Sequence, residues 1–418
     1  MRIALITARS PLAPSSSASL CGQQSAQPAA LARALASNGH RVTIYARAED
    51  PAAPRTAILG GGVSVEHVKA GPAKPLADEQ AARYMPEFAA YLSGRWRTRR
   101  PDVVHAFSWT AGLAALGAVR GYDIPVVQSF GSLGLMLRRQ AGADISAARI
   151  KLEASIGRTV AAVLACSEDE ADDLARLAVP KKAIRVIPHG FDAQLFCPEG
   201  EKASRGGKSR LITFADEEAR GLQTVIRALA QVPDAELVVV GGPDARHLPR
   251  TGPFRAAAQL ASTLRPRSRV TFAGQVSEAD LPALLRSADI LVSVSPYEPG
   301  GLAAIEAMGC GLPAVVSAVG GQRDAVIDGI TGLHVAAGQP AMLAHRLRAL
   351  LARPALRQAY GIAAADRARS RYRFDRVAQE TAGAYERCIA ARTEAAAPAA
   401  DELAEVDETA GMRETAYA

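Results

Sequence analysis

The sequence predicts an α/β protein in which two domains each contain a parallel sheet. Residues 288–335 alternate buried strand, glycine loop, helix and strand, and residues 1–48 repeat the same order. Units of this kind build parallel sheets with helical crossovers. A chain of 418 residues exceeds one ordinary hydrophobic core. Two domains of roughly 180–200 residues each are therefore expected.

Bulk composition indicates a globular enzyme without a membrane span. Apolar residues make up 49% of the chain, and no apolar run approaches the roughly 20 residues that a spanning helix needs. The apolar start, residues 3–8, is too short for a signal peptide and is typical of a first buried strand. Five scattered cysteines, an odd number without metal-ligand spacing, favour a reducing cytoplasm.

The charge distribution is uneven. The chain carries a net charge of +7, and residues 394–418 contribute seven acids and one arginine, or −6. Removing that −6 from +7 leaves about +13 on the rest of the chain. Such an excess attracts nucleotide phosphates or an acidic membrane surface, and it is also compatible with no anionic partner. No nucleic-acid-binding motif accompanies the charge, so nucleic acid is not expected as a partner.

Several elements of the first half can be assigned in chain order. The loop Ser10–Gly22 precedes a helix at Pro28–Asn38, which ends at Gly39. Further strands are predicted at 41–45, 63–68, 101–106 and 162–166, with a helix at 79–100. That helix ends in the basic cluster Arg95–Arg100, which is either a solvated face or a patch for a membrane or an acceptor.

The second half begins after a polar linker. Residues 193–209 are rich in Gly, Ser and Lys. Strands are then predicted at 211–214, 235–242 and 270–274, and helices at 222–230, 279–287, twice within 340–370, and from 372 to about 392. The tail 393–418 is rich in alanine and acids and is predicted to be disordered.

The central stretch carries the chemistry. Gly300 and Gly301 follow a strand and open a helix, where free N–H groups and the helix dipole suit a phosphate. Glu298 and Glu306 lie eight residues apart across this bend, so that both can face one cleft. Carboxylates accept hydrogen bonds from hydroxyl groups. Phosphate and hydroxyl groups together indicate a nucleotide sugar as ligand.

These residues also resemble a known family. Glu298-x7-Glu306 with its Glu-Pro-Gly-Gly turn is similar to the E-x7-E signature of the retaining glycosyltransferases of family 4. The match continues through Gly309–Pro313 and Gly320-Gly321 to Asp328–Gly332. The resemblance implies a GT-B fold, in which two Rossmann-like doubly wound domains enclose an interdomain cleft and a C-terminal helix crosses back to the first domain.

The resemblance also implies a division of the chain. Residues 1–192 would form the acceptor-side domain, 193–209 the linker and 210–372 the nucleotide-sugar-binding domain. Residues 373–392 would be the crossover helix, followed by the acidic tail 393–418.

Site roles follow from the same resemblance. Glu298 would be the catalytic carboxylate that holds the sugar hydroxyls, and Glu306 would hold the ribose. The N–H groups around Gly300, Gly301 and Leu302 would bind the diphosphate. Gly22 and Arg220 would complete this donor site. The resemblance implies transfer with retention and without a metal ion or cofactor. The acceptor is open, and one alternative is a lipid-linked acceptor at the inner face of the membrane.

Three positions and the segment 215–219 differ from the family pattern on the donor side of the cleft. In that segment three acids stand near Arg220, which can replace the family's lysine, and the family's second cation has no counterpart. Gln23 stands where a second glycine is usual, Phe107 departs from the family's segment, and Gly131 replaces a histidine that contacts the transferred sugar. Two functions therefore stay open: an active glycosyltransferase with an altered donor pocket, or a weakly active or inactive relative that binds nucleotide or a partner protein. A dehydrogenase is disfavoured because no Gly-x-Gly-x-x-Gly follows the first strand.

Overall fold

The computed structural model describes residues 1–10, 20–216, 218–264 and 267–396, which form two sheets. The first sheet contains β1 (Arg2–Thr7), β2 (Arg41–Arg47), β3 (Thr56–Gly60), β4 (Val63–Val68), β5 (Val103–Phe107), β6 (Val126–Ser129), β7 (Ala162–Ala165) and β8 (Ile184–Val186). The second sheet contains β9 (Ser209–Phe214), β10 (Ala235–Val240), β11 (Val270–Gly274), β12 (Ile290–Ser293), β13 (Ala314–Ser317) and β14 (Gly332–Val335).

Helices connect these strands on both faces of each sheet. In the first half they are α1 (Leu20–Ser37), α2 (Asp78–Ala81), α3 (Met85–Trp96), α4 (Trp109–Ala118), α5 (Gly134–Ala141), α6 (Ala147–Thr159) and α7 (Glu168–Arg176). In the second half they are α8 (Leu222–Leu229), α9 (Pro253–Thr263), α10 (Leu281–Arg286), α11 (Leu302–Gly309), α12 (Gly320–Ala325), α13 (Pro340–Leu351), α14 (Pro354–Arg371) and α15 (Phe374–Ala396).

The first sheet has the strand order β3-β4-β2-β1-β5-β6-β7-β8. All neighbouring pairs are parallel except β3 with β4, which are antiparallel at one edge. Along the central strand β1, Ile3 and Leu5 face one apolar core, and Ala4 and Ile6 face the other. This sheet is therefore covered on both faces, which is why its strands are nearly continuously apolar.

The second sheet has the order β11-β10-β9-β12-β13-β14, and all its pairs are parallel. The chain order reverses between β9 and β12, which are neighbours in the sheet. Ligands of open α/β sheets bind outside the carboxyl ends of the strands at such a switch point. The loops that follow β9 and β12 are therefore the ones placed to form a site.

Helix α15 returns to the first sheet, as predicted. Its residues Val377, Ala378 and Tyr385 belong to the same core as Ile3 and Leu5 of β1. A buried hydrogen bond joins the Tyr385 hydroxyl to Nδ1 of His105 at 2.7 Å. The predicted arrangement of two parallel-sheet units with a crossover helix is thus confirmed, whereas the exact residues at which the units divide stay a prediction.

Some boundaries differ from the sequence prediction. Helix α1 begins at Leu20 rather than at Pro28, which lies inside it. The single helix predicted at 79–100 is two helices, α2 and α3, separated by a tight turn at Ala82–Tyr84. Strands β3, β6, β8 and β14 and helices α4, α5, α7, α9 and α12 were not predicted. The tail beyond residue 396 lies outside the described residues.

Candidate functional site

Glu298 lies in the loop between β12 and α11, at the switch point of the second sheet. Only 4% of this residue is exposed. Its Oε1 accepts a hydrogen bond of 3.1 Å from the backbone N–H of Gly301, the residue before the first turn of α11. Burial, reinforced by the nearby Asp216, raises the pKa of the carboxyl group to about 7 despite that hydrogen bond. The group therefore changes charge near neutral pH, which is frequent at functional sites.

Glu306 lies in α11, two turns after Glu298. It is 8% exposed. Burial, with a smaller effect of the Glu278 carboxylate, raises the pKa of Glu306 well above its ordinary value. Two buried carboxyl groups thus flank the start of one helix, as the sequence predicted. Because both carboxyl groups are buried, neither Glu298 nor Glu306 is an ordinary solvent-exposed surface residue.

The glycines around Leu302 allow two backbone segments to pack directly on each other. Gly301 has a φ of +65°, and a Cβ at this residue would lie 2.5 Å from the carbonyl carbon of Gly321. The Gly321 N–H in turn donates to the carbonyl oxygens of Glu298 and Pro299, both at 3.0 Å. The double glycines therefore have a structural reason. The Gly301 N–H that a phosphate would use is engaged by Glu298.

Arg220 follows β9 and lies in the same small cavity as Glu298. One Nη group of its guanidinium donates to Asp216, and the other forms an ion pair of 2.7 Å with Glu218. The guanidinium carbon lies 5.8 Å from the ring centre of Tyr297, within the range of a cation–π contact. The cation predicted to bind a diphosphate thus lies beside Glu298 but is paired with two carboxylates.

A cavity of about 290 Å³ opens beside the carboxyl ends of the first sheet. Phe107 and Gly131, two of the three positions that differ from the family pattern, both line it. Gly131 has a φ of +68°, and no atom lies within 4 Å of the position that a Cβ would occupy. The place of the absent side chain is therefore open space. The Tyr297 hydroxyl donates a hydrogen bond of 3.0 Å to the adjacent Ser132 hydroxyl, so the cavity wall contacts the loop that carries Glu298.

His189, in the loop after β8, forms part of the same cavity wall. Its buried Nδ1 has no hydrogen-bond partner among the described residues. Burial lowers the pKa of the ring to about 4, so His189 is neutral at pH 7. A Cβ at Gly300 would lie 2.1 Å from this nitrogen, so the absence of a side chain at Gly300 accommodates the imidazole.

Glu170 is a buried cavity residue that the sequence analysis missed. Its Oε2 accepts the Cys166 N–H at 2.7 Å, and its Oε1 has no partner among the described residues. Burial raises the pKa of this carboxyl group. The spacing Ser167-x-x-Glu170 at the end of a strand is a helix-capping pattern that could have drawn attention to it, because the Ser167 hydroxyl accepts the Glu170 N–H.

Charged groups of the first half also line this cavity. Arg9, Asp78 and Arg149 are among its wall residues. Arg149 is mostly buried, and its Nε donates to Glu153 at 2.9 Å while its Nη2 donates to the Ser132 carbonyl at 3.0 Å. The cavity therefore offers cations, carboxylates and hydroxyls, which can orient the polar groups of a ligand.

The structure says less about the other predicted residues. Gly22 and Gln23 lie within α1, but their surroundings lie outside the described part, so their donor-side roles stay predictions. In the basic cluster, Arg95 is bound to Glu66 and Arg100 to the Asp123 carbonyl, so two of its cations serve intramolecular contacts.

The described residues contain no group of three or more His, Cys, Asp or Glu that could hold a metal ion. Within the same part of the chain, no helix is long and apolar enough to cross a bilayer. The cysteines whose side chains are described, Cys166, Cys197, Cys310 and Cys388, are all free thiols.

Comparison with known proteins decides the family. Residues 28–195 match the model described as Glycosyltransferase Family 4, and residues 206–367 match the one described as Glycosyl transferases group 1. D-inositol 3-phosphate glycosyltransferase 1 of Catenulispora acidiphila is 33% identical over 351 residues, which span 78% of this chain and 81% of that relative. The chain belongs to glycosyltransferase family 4. It is a glycosyltransferase, as the residues 298–332 predicted.

Solved structures agree on the architecture of this glycosyltransferase. Sucrose-phosphate synthase from Thermosynechococcus elongatus is 26% identical, with a TM-score of 0.83, and covers 94% of this chain and 100% of its own. The Anabaena protein HepE, solved in complex with UDP and glucose, is 17% identical with a TM-score of 0.70 and covers 92% of this chain and 98% of its own. The predicted GT-B fold is confirmed.

Proposed function

We propose that this glycosyltransferase moves a sugar from a nucleoside-diphosphate donor to a hydroxyl-bearing acceptor with retention of configuration. The observation that carries the proposal is the pair of buried carboxyl groups, Glu298 and Glu306, on either side of the α11 N-terminus. A carboxyl group buried with a raised pKa costs stability in its charged form, and such groups are frequent at functional sites. Sugar and ribose hydroxyls are ligands that donate hydrogen bonds to such groups.

In this proposal the protein acts by positioning and charge stabilisation. Glu298 holds the sugar hydroxyls and Glu306 the ribose. Arg220 and the Leu302 N–H group hold the diphosphate, together with the Gly301 N–H group once Glu298 has released it. The bond between the anomeric carbon and the phosphate oxygen breaks as the acceptor oxygen attacks from the same face. The leaving phosphate oxygen takes the acceptor proton, so no side chain is needed as a base. Preorganised donors at the developing charge then lower the barrier.

We further propose that no metal ion takes part. The cationic guanidinium of Arg220 and the helix N-terminus would together neutralise the leaving diphosphate. The test is transfer in the presence of a strong chelator, for which we expect unchanged rates. Loss of activity with chelator and recovery with a divalent cation would contradict this part of the proposal.

The acceptor would occupy the cavity of the first half. Relatives named D-inositol 3-phosphate glycosyltransferase and sucrose-phosphate synthase support a phosphorylated polyol or sugar as the first acceptor class to try. Arg9 and Arg149 line the cavity and place positive charge near such a phosphate. Direct binding by Arg149 would require it to give up a contact with Glu79, Glu153 or the Ser132 carbonyl. A lipid-linked acceptor is a separate class, which the same assay can include as micelle-dispersed material.

A second function has its own support. Gly131 leaves open space where the family places a histidine, and Arg220 is paired with acids. A protein that binds nucleotide without efficient transfer accounts for both observations. The two functions differ in one measurement, because only the first gives turnover of a sugar donor in the presence of acceptors.

The test is calorimetric titration of UDP, GDP, ADP and their common sugar conjugates, followed by transfer assays with the donor that binds. We expect a nucleotide sugar to bind and Glu306→Gln to weaken it by roughly tenfold or more, since hydrogen bonds to charged groups contribute roughly 1.5–3 kcal/mol. Glu199→Gln, which alters a side chain 77% exposed in the linker, is the matched control and should bind normally. Product anomeric configuration, read by NMR, tests retention.

The outcomes separate the hypotheses. Binding with turnover supports the transferase proposal. Binding of nucleotide without turnover on any donor favours the binding protein. Absence of binding for every nucleotide would contradict both.

A further inference from the structure

The Arg220 side chain is enclosed by acids of its own loop. Asp216 is 13% exposed at its side chain and receives one Nη group, and Glu218, which is 67% exposed, receives the other. Nε is buried without a partner among the described residues. A guanidinium binds a phosphate through its outer N–H groups. Each Nη group of Arg220 already donates to a carboxylate, so a phosphate at either of them must compete with that carboxylate.

The backbone of the loop fixes this arrangement. Asp216 also accepts the Arg220 N–H through Oδ1 at 3.2 Å, and its carbonyl accepts the Ala219 N–H at 2.9 Å. Ala219 has a φ of +50°, a backbone conformation that residues other than glycine rarely adopt. A Cβ at the following Gly221 would lie 2.8 Å from the Val294 carbonyl oxygen. The loop is thus held tightly against the strand end that leads to Glu298.

The space beside this pair is narrow. The cavity shared by Asp216, Arg220 and Glu298 measures about 10 Å³, close to the least that admits one water molecule. A diphosphate is far larger, so it does not fit between Arg220 and Glu298 in this arrangement of the side chains.

We propose that Asp216 competes with the donor diphosphate for Arg220 and thereby sets the affinity and selectivity for charged donors. This inference rests on the proposed function, because it assumes that the diphosphate binds beside Arg220. Two carboxylates around one guanidinium leave a net negative charge where a dianionic group must bind. A donor with strong phosphate contacts elsewhere in the cleft can displace Asp216, whereas a weakly charged ligand gains little from Arg220.

Tyr297 couples this exchange to the other half of the molecule. Its ring lies against the Arg220 guanidinium, and its hydroxyl is bonded to Ser132 in the wall of the larger cavity. Movement of Arg220 toward a phosphate therefore alters a contact at the acceptor side. Donor entry and the interdomain contact become linked through one side chain.

The test compares wild type with Asp216→Asn by calorimetry, using inorganic pyrophosphate, UDP, GDP and ADP, and the matching nucleosides. Asparagine keeps an oxygen that can accept the Arg220 N–H but removes the charge that holds the guanidinium. We expect Asp216→Asn to tighten pyrophosphate and the bound nucleoside diphosphate about tenfold, or ~1.4 kcal/mol. Nucleosides, which lack phosphate, should bind equally to both proteins.

Two further variants isolate the mechanism. Glu218→Gln removes an exposed, solvent-screened carboxylate and should change the affinity by less than about threefold. The double variant Asp216→Asn with Arg220→Gln should lose the whole gain, because the released cation is no longer present.

The sign of the change decides the inference. Weaker diphosphate binding in Asp216→Asn would mean that Asp216 orients Arg220 for the ligand, and equal binding would mean that it has no influence. Either result overturns the inference while wild-type binding leaves the proposed function standing. Binding by Asp216→Asn but not by wild type would support the inference and contradict donor use by the native chain. Absence of binding by both would overturn both.

Discussion

The packing of Gly301 against Gly321 can be tested with two alanine substitutions that share a backbone strain but differ in contacts. Gly301 and Gly329 both have left-handed φ angles, +65° and +75°. Alanine in that conformation costs roughly 1–2 kcal/mol at either residue. A Cβ at Gly301 would in addition lie 2.5–2.7 Å from the backbone atoms of Gly321 and Gln322, whereas no atom lies within 4 Å of a Cβ at Gly329.

Carbon atoms pack at about 3.5–4.0 Å, so the two loops must separate by roughly 1 Å in Gly301→Ala. Overpacking of this kind costs typically 1–3 kcal/mol. We therefore expect Gly301→Ala to lower the melting temperature by roughly 2–12 °C more than Gly329→Ala, taking the second half as a domain of 150–250 residues. Separation of the loops also displaces the Gly301 N–H from Glu298, so donor affinity should fall in this variant alone.

Scanning calorimetry of the two variants, with and without nucleotide, provides the measurement. Equal melting temperatures for Gly301→Ala and Gly329→Ala would refute the close packing of the two glycine loops. Normal donor affinity in a destabilised Gly301→Ala would leave the packing intact but contradict the role of this N–H in binding.

Three further predictions concern the cleft and the crossover helix. Gly131→His fills the open space in the larger cavity and should alter donor affinity. The control Gly142→His, at a similar φ of +64° and with no atom within 4 Å of its Cβ, should leave donor affinity unchanged. Unchanged donor affinity in both variants would show that Gly131 lies outside the donor cleft. Because burial raises the pKa of Glu298 to about 7 from an ordinary 4.5, its protonated form is favoured by folding, and this advantage is lost as the pH rises through 7. Glu298→Gln should match wild-type stability below pH 5 and exceed it by up to ~3 kcal/mol at pH 8 in denaturant titrations, and a constant difference across that range would contradict the raised pKa. Tyr385→Phe leaves the buried His105 without its 2.7 Å partner and should destabilise the protein by about 1–3 kcal/mol in the same titrations, with an unchanged midpoint showing that the bond contributes nothing.

Local sequence patterns predicted the central stretch closely. The predicted strand at 290–294 and the helix from Leu302 correspond to β12 and α11. Strong apolar runs separated by glycine and proline determine such elements with little help from the rest of the chain. The same patterns predicted a helix start at Pro28, but α1 begins at Leu20. The residues before Pro28 show no clear helical period of apolar positions, so the earlier start could not be predicted. Proline within a helix is disfavoured but not forbidden when the neighbouring packing compensates.

The site was harder to predict because it joins distant segments. The sequence placed acids near Arg220, but it could not indicate that Asp216 and Glu218 bind both ends of the guanidinium. That contact depends on the left-handed backbone at Ala219. Glu170 and His189 were missed or set aside for a similar reason. Residues distant in sequence surround both: His189 lies against Gly300, and Glu170 lines the cavity at the carboxyl ends of the first sheet.

The energetics of the cleft argue that it is kept for binding rather than for stability. A glutamine at position 298 would avoid the cost of a buried carboxylate at pH 8, and alanine could replace Gly301 only if the two glycine loops lay further apart. A chain without a ligand for this cleft gains nothing from either feature, since most proteins are close to a stability threshold. Asp216 adds a third feature of this kind, because its charge offsets the cation that a phosphate would need. If Asp216→Asn tightens diphosphate binding and Glu298→Gln stabilises the protein above pH 7, both residues lower donor affinity or stability in the native chain. A limited donor affinity is expected of a transferase that must release its nucleotide after each transfer.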